Sequence, residues 1–418
     1  MLPEKTEVLI VGAGPTGLAL AIALQQAGID HLLIDRLPQG ENTSRAAVIH
    51  AHTLEMLQGL GVSGDLLRQG LSVTRFTVRD RDRPLLDLRF DTLPSPYRSL
   101  LMIPQDATER VLAARLQALG GVVHREVTAL SIEADGSGAR ARLRTAGGDA
   151  MVRARYVVGA DGMHSIVREA AGIAFRGSSY AESFVLADAT LDWSLGTREV
   201  SLFFSPAGMM VAAPLPNGQL RLVAAMEDAP DQPTREDIQR LIDARGPTGH
   251  DNRVEQIAWS SRFRIHHRLA DRYRTGPLLL MGDAAHVHSP AGGQGMNTGL
   301  VDAVVLGRAL VAVLRDAAPE AVLDRYGTLR RAAAAEVLGL AGRLTTMATM
   351  RTLPGRLVRN GLLRLVNGLP MARRRVVAAL SGIARRHFTE LGMLTAARAA
   401  PVADRRRSAP KQAGSYAG

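Results

Sequence analysis

Residues 278–307 read LLLMGDAAHVHSPAGGQGMNTGLVDAVVLG, and this stretch decides the fold. Its first four residues, 278–281, are apolar and predict a short buried strand. Gly282 ends that strand where the backbone can turn tightly, and Asp283 places a carboxylate at the strand tip. We interpret this pattern as one wall of a site for a large cofactor.

The loop after this strand is rich in glycine and leads into a helix. Gly292, Gly293 and Gly295 let the main chain approach a ligand without a side-chain clash. Asn297 is a favourable N-cap residue for the apolar-periodic segment 300–314. The predicted helix would direct its positive end at the ligand that the glycine loop holds.

A second strand, turn and helix stand at the start of the chain. Residues 7–11 predict a strand, the sequence GAGPTG follows at 12–17, and residues 18–27 predict a helix. The glycines give a tight turn, close approach to a pyrophosphate and close helix packing. Strand 31–35 closes the unit, with Asp35 placed to accept a hydrogen bond from a ribose hydroxyl. The pattern predicts dinucleotide binding, and alone it does not distinguish FAD from NAD.

A small antiparallel meander is predicted between residues 122 and 158, where β-like runs are separated by glycines. The chain leaves this meander through YVVGADG at 156–162. There an apolar strand again ends in a carboxylate and a glycine, Asp161 and Gly162, which taken alone would be an ordinary turn.

A second sheet is predicted from residues 184–263, which read as long strands interrupted by a helix at 235–244, together with strands at 73–78 and 85–90. We expect one antiparallel sheet lobe that covers a pocket. Five apolar residues of this lobe are candidates to line the pocket, although sheet core is the commoner role for any one of them: Phe203, Phe204, Met209, Met210 and Val211.

The predicted fold class is α/β, and the cofactor domain is discontinuous in sequence. The predicted regions are a cofactor domain from residues 1–70, 101–175 and 276–342, a β-sheet substrate domain from 71–100 and 176–275, a helical C-terminal region at 343–396, and a tail at 397–418 with the composition of a disordered segment.

Composition narrows the possible chemistry of this 418-residue chain. It contains no cysteine, which excludes disulfides, a thiolate nucleophile and a cysteinyl-linked flavin; we predict no metal site and a cytoplasmic location. The net charge of +11 is uneven: from Arg343 onward 14 arginines and Lys411 face only Glu390 and Asp404, a net charge of +13 that leaves −2 on residues 1–342. The near-neutral body argues against nucleic-acid binding.

Three separated motifs, VGAGPTGLALAIAL, GADGMHSIVR and GDAAHVHSPAGGQGMNTGLVDA, together resemble the single-component flavin-dependent aromatic hydroxylases, the para-hydroxybenzoate hydroxylase and phenol hydroxylase group. The resemblance covers roughly residues 5–340. It implies a Rossmann-like FAD-binding domain with an inserted antiparallel β-sheet substrate lobe. Larger relatives carry a C-terminal thioredoxin-like domain, which we do not expect in this chain because too few residues follow the region of resemblance.

The resemblance also assigns site residues. Those implied to hold the adenosine and pyrophosphate half of FAD are Gly12, Gly14, Pro15, Thr16, Gly17, Asp35 and Arg36. Those implied to contact the flavin half are Arg45, Gln105, Gly282, Asp283, Pro290, Gly293, Gly295, Met296 and Asn297, while Asp161 and Gly162 serve both FAD and the passing nicotinamide.

The same resemblance implies a reaction cycle. Non-covalent FAD is reduced by NAD(P)H as a transient co-substrate, O2 adds to give a C4a-hydroperoxyflavin, and oxygen passes to a phenolic or polyketide-like ring. The amide groups at the start of the Asn297 helix would stabilise negative charge on reduced flavin.

No protein nucleophile is needed in such a cycle, and no catalytic residue is assigned. Pro290 and His286 are the candidates closest to the flavin motif. The other titratable candidates, each more often a packing residue, are His50, His52, His266, His267 and His288.

Two alternatives stay open. One is a related flavoenzyme that performs Baeyer–Villiger oxidation, epoxidation or reduction. The other is a membrane-associated hydroxylase of the quinone-biosynthesis type, in which residues 357–365 with Arg356, Arg359 and Arg364 contact an anionic membrane. For this segment a solvated helical cap is the more ordinary interpretation. The sequence does not predict the oligomeric state.

Overall fold

The computed structural model describes most of the chain between residues 2 and 392. The described ranges are 2–40, 46–226, 229–248, 252–289, 292–348, 350 and 352–392. The predicted site residues Arg45 and Pro290, and the tail at 397–418, lie outside these ranges.

Nineteen strands are found in the described ranges. In chain order they are β1 Lys5–Val11, β2 His31–Ile34, β3 Val48–Ile49, β4 Leu71–Val73, β5 Arg75–Asp80, β6 Arg83–Arg89, β7 Leu100–Met102, β8 Val123–His124, β9 Thr128–Asp135, β10 Gly138–Thr145, β11 Gly148–Gly159, β12 Phe175–Asp192, β13 Glu199–Ser205, β14 Gly208–Pro214, β15 Leu220–Met226, β16 Arg253–Ala270, β17 Arg274–Thr275, β18 Leu278–Leu280 and β19 His286–Val287.

Ten α-helices accompany these strands in the same part of the chain. They are α1 Pro15–Gln26, α2 Ala51–Gln58, α3 Ser63–Gln69, α4 Gln105–Ala118, α5 Ile166–Ala170, α6 Arg235–Arg245, α7 Gly295–Arg315, α8 Ala321–Ala348, α9 Leu353–Gly368 and α10 Pro370–Leu380. Short 3-10 helices occur at Phe90–Thr92, Gly282–Ala284 and Ile383–Thr389.

The first sheet is the parallel core of the cofactor domain. Strands β18, β11, β1, β2 and β8 run parallel in that spatial order, and β17 adds an antiparallel edge. Because the carboxyl ends of parallel strands lie at one edge, the turns after β1, β11 and β18 are brought together. These are the turns that carry Gly12, Asp161 and Asp283.

The predicted meander is confirmed. β9 pairs antiparallel with β10, and β10 pairs antiparallel with the first half of β11. The second half of β11 pairs in parallel with β1, with Val8 opposite Tyr156 and Val11 opposite Gly159. One twelve-residue strand therefore joins the meander rigidly to the cofactor sheet.

The second sheet forms the lobe predicted from the β-rich middle of the chain. Its order is β19-β16-β12-β15-β14-β13-β5-β6, and β3, β7 and β4 form a small third sheet in that order. The predicted antiparallel sheet lobe is confirmed, with one pair that departs from it, because β13 runs parallel to β5. The reason is topological: β5 and β6 enter this sheet from an early segment, outside the later run of hairpins.

Close packing of α1 against α7 fixes the wall of the cofactor domain. A Cβ on Gly307 would lie 2.8 Å from the Cβ of Ala23, and a Cβ on Gly299 would lie 2.6 Å from the hydroxyl of Thr16. Glycine at both positions therefore lets the two helices approach closely. Helix α7 is long and apolar enough to cross a membrane, yet 83% of its most apolar stretch is buried, which identifies it as a core helix.

The C-terminal helices pack on the lobe and complete the core. Leu363 of α9 and Val377 and Leu380 of α10 are buried in one cluster with the inner face of the second sheet. The expected boundary between residues 342 and 343 falls inside α8, a continuous helix of 28 residues. The cofactor domain and the C-terminal region are therefore joined by an unbroken helix.

Candidate active site

The first glycine loop is shaped partly for packing and partly for a ligand. A Cβ on Gly12 would lie 2.3 Å from the carbonyl oxygen of Ala160, and one on Gly17 would lie 1.9 Å from the carbonyl oxygen of Gly12. Neither position has room for a side chain. A Cβ on Gly14, in contrast, would meet nothing within 4 Å, because this residue faces open space. The loop therefore offers bare backbone at Gly14 to a bound group.

Asp35 lies at the end of β2, beside this loop. Its carboxylate accepts hydrogen bonds from the amide of Ala13 at 2.7 Å and from the amide of Leu37 at 2.9 Å. The guanidinium of Arg125 lies 3.8 Å away. These contacts fix the carboxylate at the wall of a cavity, and its remaining lone pairs suit a ribose hydroxyl.

This cavity has a volume of about 270 Å³ and runs along the carboxyl edge of the parallel sheet. It brings together predicted residues from four separate segments. Those that line it are Gly12, Gly14, Asp35, Arg36, Gln105, Asp161 and Gly162.

Asp161 has both a structural role and a ligand-facing position. One carboxylate oxygen accepts a hydrogen bond from the amide of Ile166 at 2.8 Å and so caps the short helix α5. The other oxygen is buried without a hydrogen-bond partner among the described residues. Burial raises the pKa of Asp161 above its ordinary value. An orphaned acceptor at a cavity wall fits a donor from a bound ligand.

The second glycine loop contradicts one detail of the sequence prediction. Helix α7 begins at Gly295 with Gln294 as its N-cap, so Asn297 is not the cap but lies within the first turn. Its side chain instead donates to the carbonyls of Val48 and Gly293 at 2.9 and 2.8 Å and accepts from the amide of His50 at 2.8 Å. Asn297 therefore ties the loop to β3, and this use of its side chain explains the error.

The start of α7 lies at the wall of a second, larger cavity, which Gly295 and Met296 line. Gly292 and Gly293 adopt positive φ angles of 84° and 62°. A Cβ on Gly293 would lie 2.2 Å from a methyl carbon of Val48, so the loop packs as closely as backbone allows. Residues 295–297 begin the helix, and their amides have no intrahelical partner.

The larger cavity has a volume of about 1410 Å³. It adjoins the smaller one, because both are lined by Gly14, Gln105, Ala160 and Gly162. Further predicted residues that line it are Pro15, Thr16, Asp283, Gly293, Gly295 and Met296. Gly17, Gly282 and Asn297 line neither cavity; they hold the wall by packing and hydrogen bonds.

The sheet lobe supplies the apolar side of the larger cavity. Of the five candidates, Phe204, Met209 and Val211 line it, whereas Phe203 and Met210 pack into a separate core on the opposite face of the sheet. Phe203 pairs with Met210, and Phe204 pairs with Met209, across β13 and β14. Alternation along the paired strands therefore divides the five residues between the two faces.

His286 lies behind the cavity wall. Its Nε2 is 2.7 Å from a carboxylate oxygen of Asp302, and Arg330 donates to the other oxygen at 2.7 Å. Burial alone would raise the pKa of Asp302, but Arg330 and His286 outweigh burial and hold that pKa below its ordinary value. His286 lines neither cavity, and this buried cluster braces β19, α7 and α8.

His288 faces the larger cavity. Its Nδ1 lies 2.8 Å from the carbonyl oxygen of Ser289, an arrangement that places the proton on Nδ1. Its Nε2 is buried with no hydrogen-bond partner among the described residues and lies 4.0 Å from the Cβ position of Gly295. Burial lowers the pKa of His288 to about 4, so the ring is neutral near pH 7. A neutral acceptor therefore stands beside the start of α7.

The C-terminal region also reaches the glycine loop. Arg385 donates to the side-chain oxygen of Gln294 at 2.7 Å, and the Gln294 amide group donates to the carbonyls of Gly292 and Leu380 at 3.0 and 2.9 Å. Burial lowers the pKa of Arg385 to about 10. The loop that begins α7 is thus held in place by the end of the described chain.

The remaining histidines divide between the cavity and the core. His50, His266 and His267 line the larger cavity. His52 lines neither cavity and lies 3.5 Å from Glu55. Burial lowers the pKa of both His50 and His52 to about 4.

Arg221 is a site residue that the sequence did not reveal. It lines the larger cavity and is almost fully buried. Its guanidinium makes two hydrogen bonds to the carboxylate of Asp188, at 2.7 and 2.6 Å, and a third to the carbonyl of Ala46 at 2.9 Å. It therefore joins the sheet lobe to the cofactor domain. The one sequence signal for this residue is that it is a single arginine within the otherwise apolar strand β15.

Comparisons with known proteins agree with this geometry. A family model described as an FAD-binding domain matches residues 5–341. A 6-methylpretetramide 4-monooxygenase from Streptomyces rimosus is 35% identical over 92% of this chain and 71% of its own length. A pentachlorophenol 4-monooxygenase from Sphingobium chlorophenolicum is 34% identical over 79% of this chain, which spans 63% of that relative.

Solved structures show the same fold. A p-nitrophenol 4-monooxygenase from Pseudomonas putida superposes with a TM-score of 0.82 at 24% identity, over 91% of this chain and 99% of that one. An anhydrotetracycline hydroxylase from Streptomyces rimosus superposes with a TM-score of 0.77 at 31% identity, over 90% of this chain and 76% of that one. An aklavinone-11 hydroxylase in complex with FAD and aklavinone superposes with a TM-score of 0.71 at 27% identity, over 85% of this chain and 71% of that one.

Proposed function

The chain belongs to the FAD-binding domain family of FAD-dependent aromatic hydroxylases, and from this premise we propose that it uses NAD(P)H and O2 to hydroxylate a phenolic or polyketide-like aromatic compound. The observation that carries the proposal is the larger cavity. It begins at Gly295 and Met296, the first residues of α7, and continues into a wall of aromatic and aliphatic side chains. A proposed cytoplasmic location would give the enzyme access to NAD(P)H.

The residues present fit FAD. Gly14 would leave room for the pyrophosphate, Asp35 would accept from the ribose, and Asp283 at the tip of β18 would accept from the ribitol. The first-turn amides of α7 would lie at the flavin ring. Flavin, when bound, supplies the redox chemistry by accepting a hydride and activating O2.

The protein residues would orient the aromatic ring and keep water out. Phe76, Phe184, Phe204 and Phe263 line the larger cavity and present apolar surface to a flat substrate. His288 would accept a hydrogen bond from a substrate hydroxyl through its unpartnered Nε2, which would orient the ring and increase its electron density. Arg221, already paired with Asp188, would hold the wall rather than act on the ring.

The proposed substrate class follows from the volume of the larger cavity and from the names of the relatives. A volume of about 1410 Å³ exceeds the roughly 300–1,000 Å³ of an ordinary ligand pocket, which leaves space for a polycyclic substrate beside the flavin ring. Two relatives are named for 6-methylpretetramide and anhydrotetracycline, and one for pentachlorophenol. We therefore favour a polycyclic phenol over a single-ring one.

The test is product analysis with the purified FAD-loaded protein. It would be incubated with NADH or NADPH, a panel of single-ring and polycyclic phenols, and ¹⁸O2, with H2¹⁸O as the matched control. We expect substrate-stimulated NAD(P)H oxidation and a product that gains one ¹⁸O atom from O2 only.

Other outcomes would move the assignment to a different reaction. One oxygen gained with ring expansion would identify a Baeyer–Villiger reaction, and one gained as an epoxide would identify epoxidation. A product that gains hydrogen without oxygen would identify a reductase. Failure to bind FAD would reject the proposal altogether.

A further inference from the structure

Helix α9 presents large apolar side chains to the outside of the protein as well as to its core. The side that faces the protein carries Arg359, Asn360 and Asn367. Asn360 donates to the carboxylate of Asp80 at 3.0 Å, and Asn367 accepts from the amide of Asp87 at 2.9 Å. The Arg359 guanidinium is buried 4.3 Å from the centre of the Phe204 ring. These polar contacts, together with the buried Leu363, attach this helix to the lobe.

The side that faces outward is apolar. Seven large hydrophobic residues of α9 and the start of α10 are between 50% and 74% exposed, and in the described part of the chain only Val122 and Met151 share this property. The seven are Leu353, Leu357, Val358, Leu362, Leu365, Leu369 and Met371. Exposed apolar residues grouped in this way are typical of a surface that contacts a partner protein or a membrane.

Charge indicates what covers it. From residue 337 to residue 389 the sequence contains no aspartate or glutamate and ten arginines. Arg364, Arg374 and Arg375 are exposed on α9 and α10 among or next to the apolar residues. An apolar helix face bordered by arginines, with no carboxylate in the segment, matches a layer of acyl chains beneath anionic headgroups.

A second copy of this chain matches the surface poorly. A twofold contact places the same patch against itself, so the arginines of one copy would face those of the other. No carboxylate in the segment could compensate for that repulsion.

We propose that the outer face of α9 and the start of α10 form a docking surface for an anionic phospholipid bilayer. The helix lies along the membrane plane and does not cross it. Leu363 and Val366, on the other side of α9, line the larger cavity, so the membrane-facing helix is at the same time a wall of that cavity. The inference rests on the surface and not on the proposed reaction.

The test is co-sedimentation of the full-length FAD-loaded protein with vesicles of phosphatidylcholine alone or mixed with phosphatidylglycerol. We expect binding only to the anionic vesicles, and less binding at high salt. The double variant Leu357→Glu and Leu365→Glu should lower the partition coefficient at least about tenfold, because leucine burial is lost. Arg374→Glu and Arg375→Glu should lower it roughly fivefold or more for each residue.

The matched control makes the same change at the two other exposed hydrophobic residues, Val122→Glu and Met151→Glu. This control should bind vesicles as the unchanged protein does. FAD content, measured by absorbance, should be equal in all variants, which separates a failure of docking from a failure of the proposed function.

Three results would overturn the proposal: no binding to anionic vesicles, equal loss of binding in the control, or binding that survives Leu357→Glu with Leu365→Glu. Sedimentation velocity gives a further check. Conversion of a dimer to a monomer by the Leu357 and Leu365 changes would assign the surface to a second copy instead.

Discussion

The two adjoining cavities are constructed in different ways. The smaller one is formed by turns at the ends of parallel strands, and its key contacts are backbone positions such as Gly14 and carboxylates such as Asp35. The larger one owes its apolar walls to side chains from a sheet face and the C-terminal helices. The cofactor half is thus specified by local turns, whereas the substrate half is specified by strand register and distant packing.

Paired substitutions in the first glycine loop should have the largest effect. Gly17→Ala places a Cβ 1.9 Å from a backbone oxygen, so we expect a loss of about 3 kcal/mol or more in unfolding free energy and no retained FAD. Gly14→Ala has free space and should leave the apoprotein stable while lowering FAD affinity, because the methyl group occupies the ligand's approach. Thermal denaturation of the apoproteins and FAD titration measure the two effects. Equal destabilisation of both apoproteins would contradict the division.

Neighbouring phenylalanines of β13 test the substrate half. Phe203 packs edge-on against Trp193 at 5.9 Å in the outer core, so Phe203→Ala should lower the unfolding free energy by about 3–5 kcal/mol. Phe204→Ala opens onto an existing cavity and should cost less stability while changing which aromatic substrates stimulate NAD(P)H oxidation. Chemical denaturation and a substrate panel separate these outcomes. If the two variants showed each other's expected effects, Phe203 and not Phe204 would face the cavity.

Acid should lower the stability of the folded chain, because three buried histidines resist protonation. His50, His52 and His288 have folded-state pKa values lowered from 6.5 to about 4 by burial. Between these values the unfolded chain binds protons that the folded chain does not. Stability should therefore fall as the pH drops from 6.5 to 4, by about 1.4 kcal/mol per pH unit for each histidine.

The measurement is denaturant unfolding of the unchanged protein and of His288→Gln across this pH range. The variant should lose stability less steeply, because one titrating group is gone. An identical slope in both proteins would show that His288 is accessible to protons in the folded state.

The smallest expected effect is on turnover. His288→Ala removes the proposed acceptor for a substrate hydroxyl and should lower kcat/KM about tenfold, the value of one hydrogen bond. FAD content should not change. The control is His52→Gln, a buried histidine that lines neither cavity. Steady-state kinetics would compare kcat/KM for a phenolic substrate and for its methyl ether. An equal decrease in kcat/KM with both compounds would show that His288 does not accept from the substrate hydroxyl.

The same division explains what could be predicted from the sequence. The glycine loops, Asp35, Asp161 and Asp283 were located because each follows a strand signal within a few residues. The five apolar residues of β13 and β14 were recognised as a group, but not which of them face the cavity. That choice depends on the pairing of Phe204 with Met209, and only the assembled sheet reveals it.

Contacts between distant segments could not be predicted. Asp302 with Arg330, Arg221 with Asp188, and Gln294 with Arg385 are each separated by 28 to 91 residues and belong to no motif. Asn297 was identified as important, but its assignment as an N-cap failed because its side chain bridges to β3. Local chemistry was thus visible, whereas its long-range partners were not.

The hydrogen bond from Arg385 to Gln294 has a consequence for synthesis of the protein. Translation proceeds from the N-terminus, so the loop at the start of α7 is made about 90 residues before the arginine that braces it. A nascent chain could assemble the parallel sheet but not the braced loop until residue 385 leaves the ribosome. Cofactor loading would then be a late, post-translational event, and a chain interrupted before that residue would accumulate as a poorly loaded apoprotein.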